Sequence, residues 1–427
     1  MKSKLHGIFN YIFYKYVLYS YAYARLFILS EINRARAFFK KTSIKKYTEY
    51  ETKPILALAI YEKNIIRQDV VNLLKIAKQL GFYVLLVNSQ KLTNPGLYSG
   101  LIDVYIERYN FGRDFGSYKT ALQYLYKNKI ASICPRLVIL NDSVFFSLKN
   151  LEEFLTQLRD AELEVVAATE NHEINHHLGS FCLSMDGGIV NHEKFIRFWK
   201  NYRLSDLRPV VIKNGELALT ETLRSCVSEP SQIRALYDLR WLIERLEKSS
   251  ELLTANNIFS ISRTSSYPLN WKNPSMQDMI FSALVKRRID FEEKHDNSVL
   301  IDLDENADIF FQDYVDNGRL CAKLIYARDV LFTSEELDQL ARRQLLECFG
   351  CGSQIHHNAI LLYFLGLPII KIDGFYRGFW LVSDVEKIVQ MMPQSEQENF
   401  RQLVYARFYG MKVLAGWRLA AFKYSLL

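Results

Sequence analysis

Between Ile55 and Val87 two short apolar runs, Ile55 to Ile60 and Phe82 to Val87, flank a segment in which Val70, Leu73, Leu74, Ala77 and Leu80 recur at helical spacing until Gly81 stops them. Strand, helix, strand is the opening of a parallel sheet, because parallel neighbours need a crossover and that crossover is right-handed in nearly all cases. The pattern repeats. Leu101 to Ile106 reads as a third strand, and Tyr118, Ala121, Leu122 and Leu125 mark one face of the helix after it. Leu137 to Leu140 is a fourth strand, wholly apolar and therefore expected at the sheet centre. Leu151, Phe154, Leu155 and Leu158 give the next helix, Val165 to Ala168 the next strand, and Phe195, Phe198, Trp199 and Tyr202 another helix. The expected fold class is α/β: a Rossmann-type, doubly wound nucleotide-binding domain over residues 51–235.

The flanks differ in composition. Residues 1–50 hold ten Lys/Arg against two acids, together with thirteen aromatics, and Lys15 and Arg25 interrupt the uncharged runs. A Lys at the centre of a membrane span costs roughly 2.5–3.5 kcal/mol. The expectation is a basic amphipathic helix lying in the membrane interface, with Phe9, Tyr16, Tyr19 and Tyr23 at headgroup level. A spanning helix and a soluble aromatic helix packed on the body or on a partner are the alternatives. Residues 236–390 read as a mostly helical C-terminal region, with a loop-rich stretch at 261–275 and an acid-rich one at 290–308. Residues 391–427 form a basic tail, a candidate second membrane contact. The net charge of +7 is concentrated at the two ends, away from the expected ligand edge of the sheet, which argues against nucleic acid as the partner. The N-terminal stretch lacks a small-residue cleavage pattern and the six cysteines are scattered, so a cytoplasmic protein with reduced thiols is expected. Cys348 and Cys351 with His356 and His357 look like half of a zinc site or a redox pair, but no second pair has fitting spacing.

In open α/β sheets ligands sit beyond the carboxyl ends of the strands. Asn141-Asp142-Ser143 follows the fourth strand directly. A nucleotide-sugar site uses carboxylates there to hold a divalent cation, Mn²⁺ or Mg²⁺, against the donor diphosphate, so Asp142 is the candidate metal ligand. The tripeptide also suits a plain turn or cap. Asn110, Gly112, Arg113 and Asp114 follow the third strand: Gly112 allows close backbone approach, Arg113 offers a planar fork for phosphate, and Asp114 can bind a ribose or sugar hydroxyl. Arg113 and Asp114 equally suit a structural ion pair. The stretch His172 to His177 holds three of the eight histidines, able to contact diphosphate, complete a metal shell or simply face solvent. A base for an acceptor hydroxyl is sought among Glu216, Glu221 and Asp186, with Glu216 preferred because Asn214-Gly215 signals a turn that would place it at a helix start.

Arg108-Tyr109-Asn110-Phe111-Gly112-Arg113-Asp114-Phe115-Gly116, Leu140-Asn141-Asp142-Ser143-Val144, His177-Leu178-Gly179-Ser180-Phe181, Phe195 to Trp199, and Gly366-Leu367-Pro368-Ile369-Ile370-Lys371 occur in this order. The set resembles the rhamnan synthesis F family of bacterial surface-polysaccharide glycosyltransferases. Tyr109 is an insertion in the first motif; Phe146-Ser147 stands where the family tends to have Gly-Pro, Gly179 replaces Gln, and Ala359 replaces Pro. The resemblance implies a GT-A-like fold, transfer of a sugar, with rhamnose a candidate, from a nucleotide-sugar donor, and assembly of capsule, rhamnan or O-antigen. It further implies a lipid-linked glycan acceptor at the cytoplasmic face of the inner membrane. On this reading Asn110, Gly112, Arg113, Asp114, Asn141 and His177 bind the donor, and Glu216 or Asp186 serves catalysis. A non-catalytic membrane-associated scaffold with the same fold is the competing expectation.

Overall fold

The computed structural model describes residues 13–248 and 334–426. Phe9, Cys321 and the stretches 261–275 and 290–308 lie outside the described residues. The strands in chain order are β1 (Ser43–Lys46), β2 (Ile55–Ile60), β3 (Tyr83–Asn88), β4 (Val104–Glu107), β5 (Arg136–Asn141), β6 (Val144–Phe146), β7 (Val165–Ala167), β8 (Glu170–Asn171), β9 (His177–Leu178), β10 (Cys182–Asp186), β11 (Ile233–Ala235) and β12 (Ile369–Lys371).

Eight of them form one sheet in the order β1-β4-β3-β2-β5-β10-β7-β11. β4, β3, β2 and β5 run parallel, and β7 and β11 run parallel to each other. β10 is antiparallel to both β5 and β7, and β1 closes the other edge antiparallel to β4. The chain order reverses between β2 and β5, which makes the crevice beyond their carboxyl ends the ligand position of a doubly wound sheet.

Both faces of the sheet are covered, and the alternation of side chains along each strand decides which residue serves which face. Leu56, Leu58 and Ile60 of β2 share one buried cluster with Val70, Leu73 and Leu74 of helix Gln68–Gln79 and with Leu362, Val385 and Phe400 of the C-terminal helices. Ile55, Ala57 and Ala59 face the other way, onto Tyr118, Leu122 and Leu125 of helix Arg113–Lys127 and onto Phe195 and Trp199. The C-terminal region is helical and is tied to the sheet domain by a two-stranded ribbon in which Ile369 pairs with Phe146 and Lys371 with Val144. At the join, the buried Ser147 hydroxyl donates to Glu396 Oε2 at 2.7 Å and lies 2.8 Å from Tyr363 Oη, while Ser147 N–H donates to the Pro368 carbonyl. A proline at position 147 could not make that last bond.

Helix Tyr19–Phe39 does not have the single apolar stripe expected of an interfacial helix. Phe27, Ile28 and Leu29 are all exposed, although successive residues point about 100° apart. Tyr16, Tyr21, Ile32, Phe38 and Phe39 are exposed as well. Tyr19 and Tyr23 are turned inward: with Ala22 and Leu26 they pack on Trp417, Ala421 and Leu426 of the C-terminal segment, and the Tyr19 ring meets Tyr424 edge-on at 5.3 Å. The basic tail and the aromatic N-terminal helix are thus one packed unit, not two separate contacts. Among the described residues no helix is long and apolar enough to cross a membrane.

Candidate functional site

A cleft of about 630 Å³ opens beyond the carboxyl ends of the central strands, between the sheet domain and the C-terminal region. Five sequence candidates line it: Arg113, Asp114, Asn141, His177 and Glu216. They come from the ends of β4 and β5, from β9, and from the helical segment after Leu207. Strand order brings four of them together, and the helical segment after Leu207 adds Glu216.

The loop after β4 shows how its motif works. Arg108 is buried, and its guanidinium donates to the carbonyls of Tyr109 at 2.8 Å, Arg113 at 3.1 Å and Phe111, stapling the loop shut. Gly116 is required because a Cβ there would lie 1.8 Å from Arg108 Nη2. Gly112, at φ 82°, caps helix Arg113–Lys127, gives its N–H to Asp206 Oδ1 at 2.7 Å and packs against Leu204. Gly112 is therefore a structural residue, and Asn110 is exposed and outside the cleft wall; neither takes the donor-binding position expected of it.

At the cleft floor Asn141 Nδ2 donates to Asp114 Oδ2 at 2.9 Å, its Oδ1 accepts from Ser143 N at 3.1 Å, and Lys371 Nζ donates to Ser143 Oγ at 2.6 Å. Asp114, Asn141, Ser143 and Lys371 thus form one hydrogen-bonded row. Burial raises the Asp114 pKa above its ordinary value, against the pull of Lys371 and Arg113. Opposite, Glu216 Oε2 lies 3.5 Å from His177 Nε2. Burial opposes charge on His177, yet its bonds to Glu216 and to the Asn175 carbonyl raise its pKa overall. Glu216 does not follow a turn: Ile212–Leu217 is a π-helical turn inside a helical run, a local irregularity often found at functional sites. Gly215 fits there because a Cβ would sit 3.0 Å from the Phe115 ring.

The remaining candidates lie elsewhere. Asp186 sits opposite Arg136 in the β10–β5 register, whereas Cys182 opposes Leu140, so Asp186 is at the far edge of the sheet. Four residues of strand put it roughly 13 Å from the site. Its carboxylate accepts from Ile189 N at 2.7 Å and caps a helix, which removes it as a base. Glu221 is exposed, outside the cleft, and pairs with Arg224 at 2.6 Å. Asp142 points to the opposite side from Asn141. Its Oδ2 accepts from Tyr61 N at 2.6 Å, and burial pushes its pKa up to about 6 despite nearby Arg67. A carboxylate already engaged by a backbone donor, beside a guanidinium and outside the cleft, does not fit the metal role expected of it; the three-group set that could hold an ion, among the described residues, excludes Asp142.

Arg208 on the sheet side and the C-terminal wall add residues that the strand pattern did not single out. Arg208, His356, Lys371, Asp373 and Arg377 all line the cleft. His356 Nε2 lies 3.1 Å from Asp373 Oδ1, and Arg377 Nε bonds the other Asp373 oxygen. That pairing holds the Asp373 carboxyl well below the usual range although burial opposes it. Among the described residues no carboxylate pairs directly with Arg208, and burial with the nearby Arg377 and Arg113 pushes its pKa down to about 10 although Asp373 and Glu216 pull the other way. Clustered guanidiniums of this kind favour a polyvalent anion, diphosphate above all, because Arg presents paired donors to its oxygens. The early signals among them were Lys371, at the end of the closing motif, and His356, read in the sequence as part of a half zinc site.

The fold is a doubly wound α/β domain whose cationic, carboxylate-bearing cleft lies at the switch point, where ligands of such sheets bind. Residues 83–226 match the family model described as rhamnan synthesis protein F, the family the motifs resemble. Among curated proteins, the chain is 27% identical over 183 residues to the uncharacterized protein y4gN of Sinorhizobium fredii, covering 40% of this chain and 47% of that protein. It is 33% identical over 123 residues to virulence protein VirA of Vibrio anguillarum, covering 28% of this chain and 38% of that one. The chain therefore spans less than half the length of these relatives. Among solved structures, a glycosyltransferase involved in the glycosylation of the major capsid of PBCV-1 is similar at TM-score 0.28 and 9% identity, over 46% of this chain and 89% of that one. The glycosyltransferase GlyE in Streptococcus pneumoniae is similar at TM-score 0.25 and 9% identity, over 47% and 51%.

Proposed function

We propose that the protein is a glycosyltransferase that moves a sugar from a nucleotide-sugar donor to a growing cell-surface polysaccharide. The observation that carries this reading is the convergence of Asp114, Asn141, His177 and Glu216 with Arg113, Arg208, Lys371 and Arg377 in one cleft. The match to the rhamnan synthesis protein F model supports it. Arg208, Arg377 and Lys371 receive the donor diphosphate, while Asp114 and Asn141 hold hydroxyls of the sugar or ribose. Glu216 takes the proton of the acceptor hydroxyl as its oxygen bonds to the anomeric carbon. The bond from that carbon to the diphosphate breaks, and the negative charge that develops on the leaving oxygen is stabilised by the guanidiniums. His177 positions Glu216.

The exposed Phe27, Ile28, Leu29, Ile32, Phe38 and Phe39 offer apolar surface for a peripheral membrane contact even without a single stripe. The cytoplasmic face of the inner membrane and a lipid-linked glycan acceptor are proposed from the likeness to the rhamnan synthesis protein F model. The test is a panel of nucleotide sugars, dTDP-rhamnose among them, read by thermal shift and by slow donor hydrolysis. One donor is expected to stabilise the wild type and to lose that effect in Arg208→Ala. Absence of stabilisation by every donor, in folded protein, overturns the reading.

A further inference from the structure

Beside the cleft, β8 and β9 form a short antiparallel hairpin in which Asn171 pairs with His177. Glu170 and His172 are two residues apart on the outgoing arm, where side chains two apart share a face. His176 returns to the same side just before β9. Their ligand atoms, one carboxylate oxygen and two imidazole nitrogens, all lie within 4.8 Å of one another. His176 Nε2 is 2.6 Å from Glu170 Oε2, and His172 Nε2 is 3.4 Å from Glu170 Oε1. From this we infer that Glu170, His172 and His176 form a binding site for a divalent d-block cation of the zinc class, separate from the residues assigned to donor and acceptor.

Three features support the assignment. An ion 2.0–2.2 Å from each ligand sets tetrahedral ligand atoms roughly 3.4 Å apart, so the present spacing needs only small side-chain rotations to close. His172 Nε2 is buried, and Glu170 Oε1, 3.4 Å away, is too poorly placed to hydrogen-bond it, an unmet polar atom that a coordinate bond would satisfy. Glu170 is held from behind: its N–H donates to Gln354 Oε1 at 3.1 Å, and Gln354 Nε2 reaches Glu170 Oε1 at 3.4 Å from a fully buried position. Such outer-shell orientation of a ligating carboxylate is a regular part of metal sites.

Two imidazoles with one carboxylate suit zinc, cobalt or nickel far better than magnesium or calcium, which prefer oxygen alone. His176 also fixes the proton inventory. Without an ion it donates Nε2–H to Glu170 and accepts at Nδ1 from Arg224. With the ion, Nε2 supplies its lone pair, the imidazole proton sits on Nδ1, and Arg224 keeps Glu221, to which Nη1 already donates at 2.6 Å. The hairpin tip carries Glu173 and Ile174 into the cleft wall, so an ion that ties both arms together fixes that wall.

The site is tested on the full chain without a histidine tag, stripped by chelator and titrated with Zn²⁺, Mg²⁺ and Co²⁺ by calorimetry and visible absorption. One equivalent of Zn²⁺ is expected, with no comparable Mg²⁺ binding. His172→Ala and His176→Ala, each checked for an unchanged melt, are expected to weaken Zn²⁺ by about 100-fold or more. A Cys348→Ser/Cys351→Ser variant should bind as the wild type does, and the Co²⁺ complex should lack a thiolate charge-transfer band. The inference fails if no Zn²⁺ binds, if both histidine variants bind like the wild type, or if cysteine substitution removes the ion.

Discussion

The two walls of the cleft reach the site by different routes. The sheet-side wall comes from residues 113–216, and each of its members follows a strand or sits on a helix packed against one. The C-terminal wall comes from residues 353–425 and is brought in by long-range contacts: β12 on β6, the Asn171–Ser353 bridge and the Ser147–Glu396 bond. A sheet-side residue inherits its position from the strand order. A residue on the other wall depends on a contact that spans more than 200 positions of sequence, as between Ser147 and Glu396. Function is therefore robust on one wall and conditional on the other.

The sharpest way to break this contrast is at Glu216. Glu216→Gln is expected to lower turnover by about 10²–10⁴-fold while leaving donor binding within a few-fold, because it removes proton transfer and keeps size and polarity. Equal loss of binding and turnover would make Glu216 a binding residue. Arg208→Ala should weaken pyrophosphate or donor by about 10–100-fold, the scale of one charge-assisted hydrogen bond, in a salt-dependent calorimetric titration. Lys371→Met tests the opposite wall: about a tenfold loss of donor affinity is expected, since the Ser143 end of the polar row loses its cation. If Lys371→Met had no effect while Arg208→Ala did, the C-terminal wall would be only a cover.

Ser147→Ala probes the join itself. It leaves the buried Glu396 carboxylate short of a donor and should cost about 1–3 kcal/mol in denaturant unfolding, with little change in donor affinity of the folded protein. The smallest effect is expected at Asp142→Asn. Its folded-state pKa of about 6 lies above the ordinary 3.8, so the folded protein holds the proton more tightly. The stability it contributes is present below about pH 4 and is lost as pH rises through about 6. Asp142→Asn should flatten that decline in midpoints measured across pH and leave the donor bound; loss of donor binding would return Asp142 to the site.

Much of the fold was legible because its signals are local. The apolar runs of β2, β3 and β5 and the helical faces between them fall where the periodicity placed them. β10 was not legible: Cys182–Asp186 carries no strong strand propensity, and its antiparallel insertion between β5 and β7 put Asp186 at the wrong edge for catalysis. Asn141 and Asp142 show a finer limit. Adjacent strand-end residues point to opposite sides, and sequence alone does not say which one faces the ligand. Gly112 and Arg108 carried a motif signal whose cause is loop closure, not contact with a ligand. Arg208 and Arg377 lie outside strand ends, so only the tertiary structure could collect them.

Asp206 joins the cleft to the outside of the molecule. One carboxylate oxygen holds Gly112 N–H, the other receives Asn33 Nδ2 at 3.0 Å from the aromatic N-terminal helix, and its carbonyl receives Arg113 Nε at 2.9 Å. Helix Gly416–Lys423 makes a second such bridge, with Ala421 against the N-terminal helix and Phe422 and Lys423 in the cleft wall. The inner ligand and the outer surface thus share mechanical supports. By reciprocity, whatever strain occupancy of the cleft sends through these supports changes the hold of the aromatic helix on its own contact, and docking of that helix returns the same free energy to the cleft.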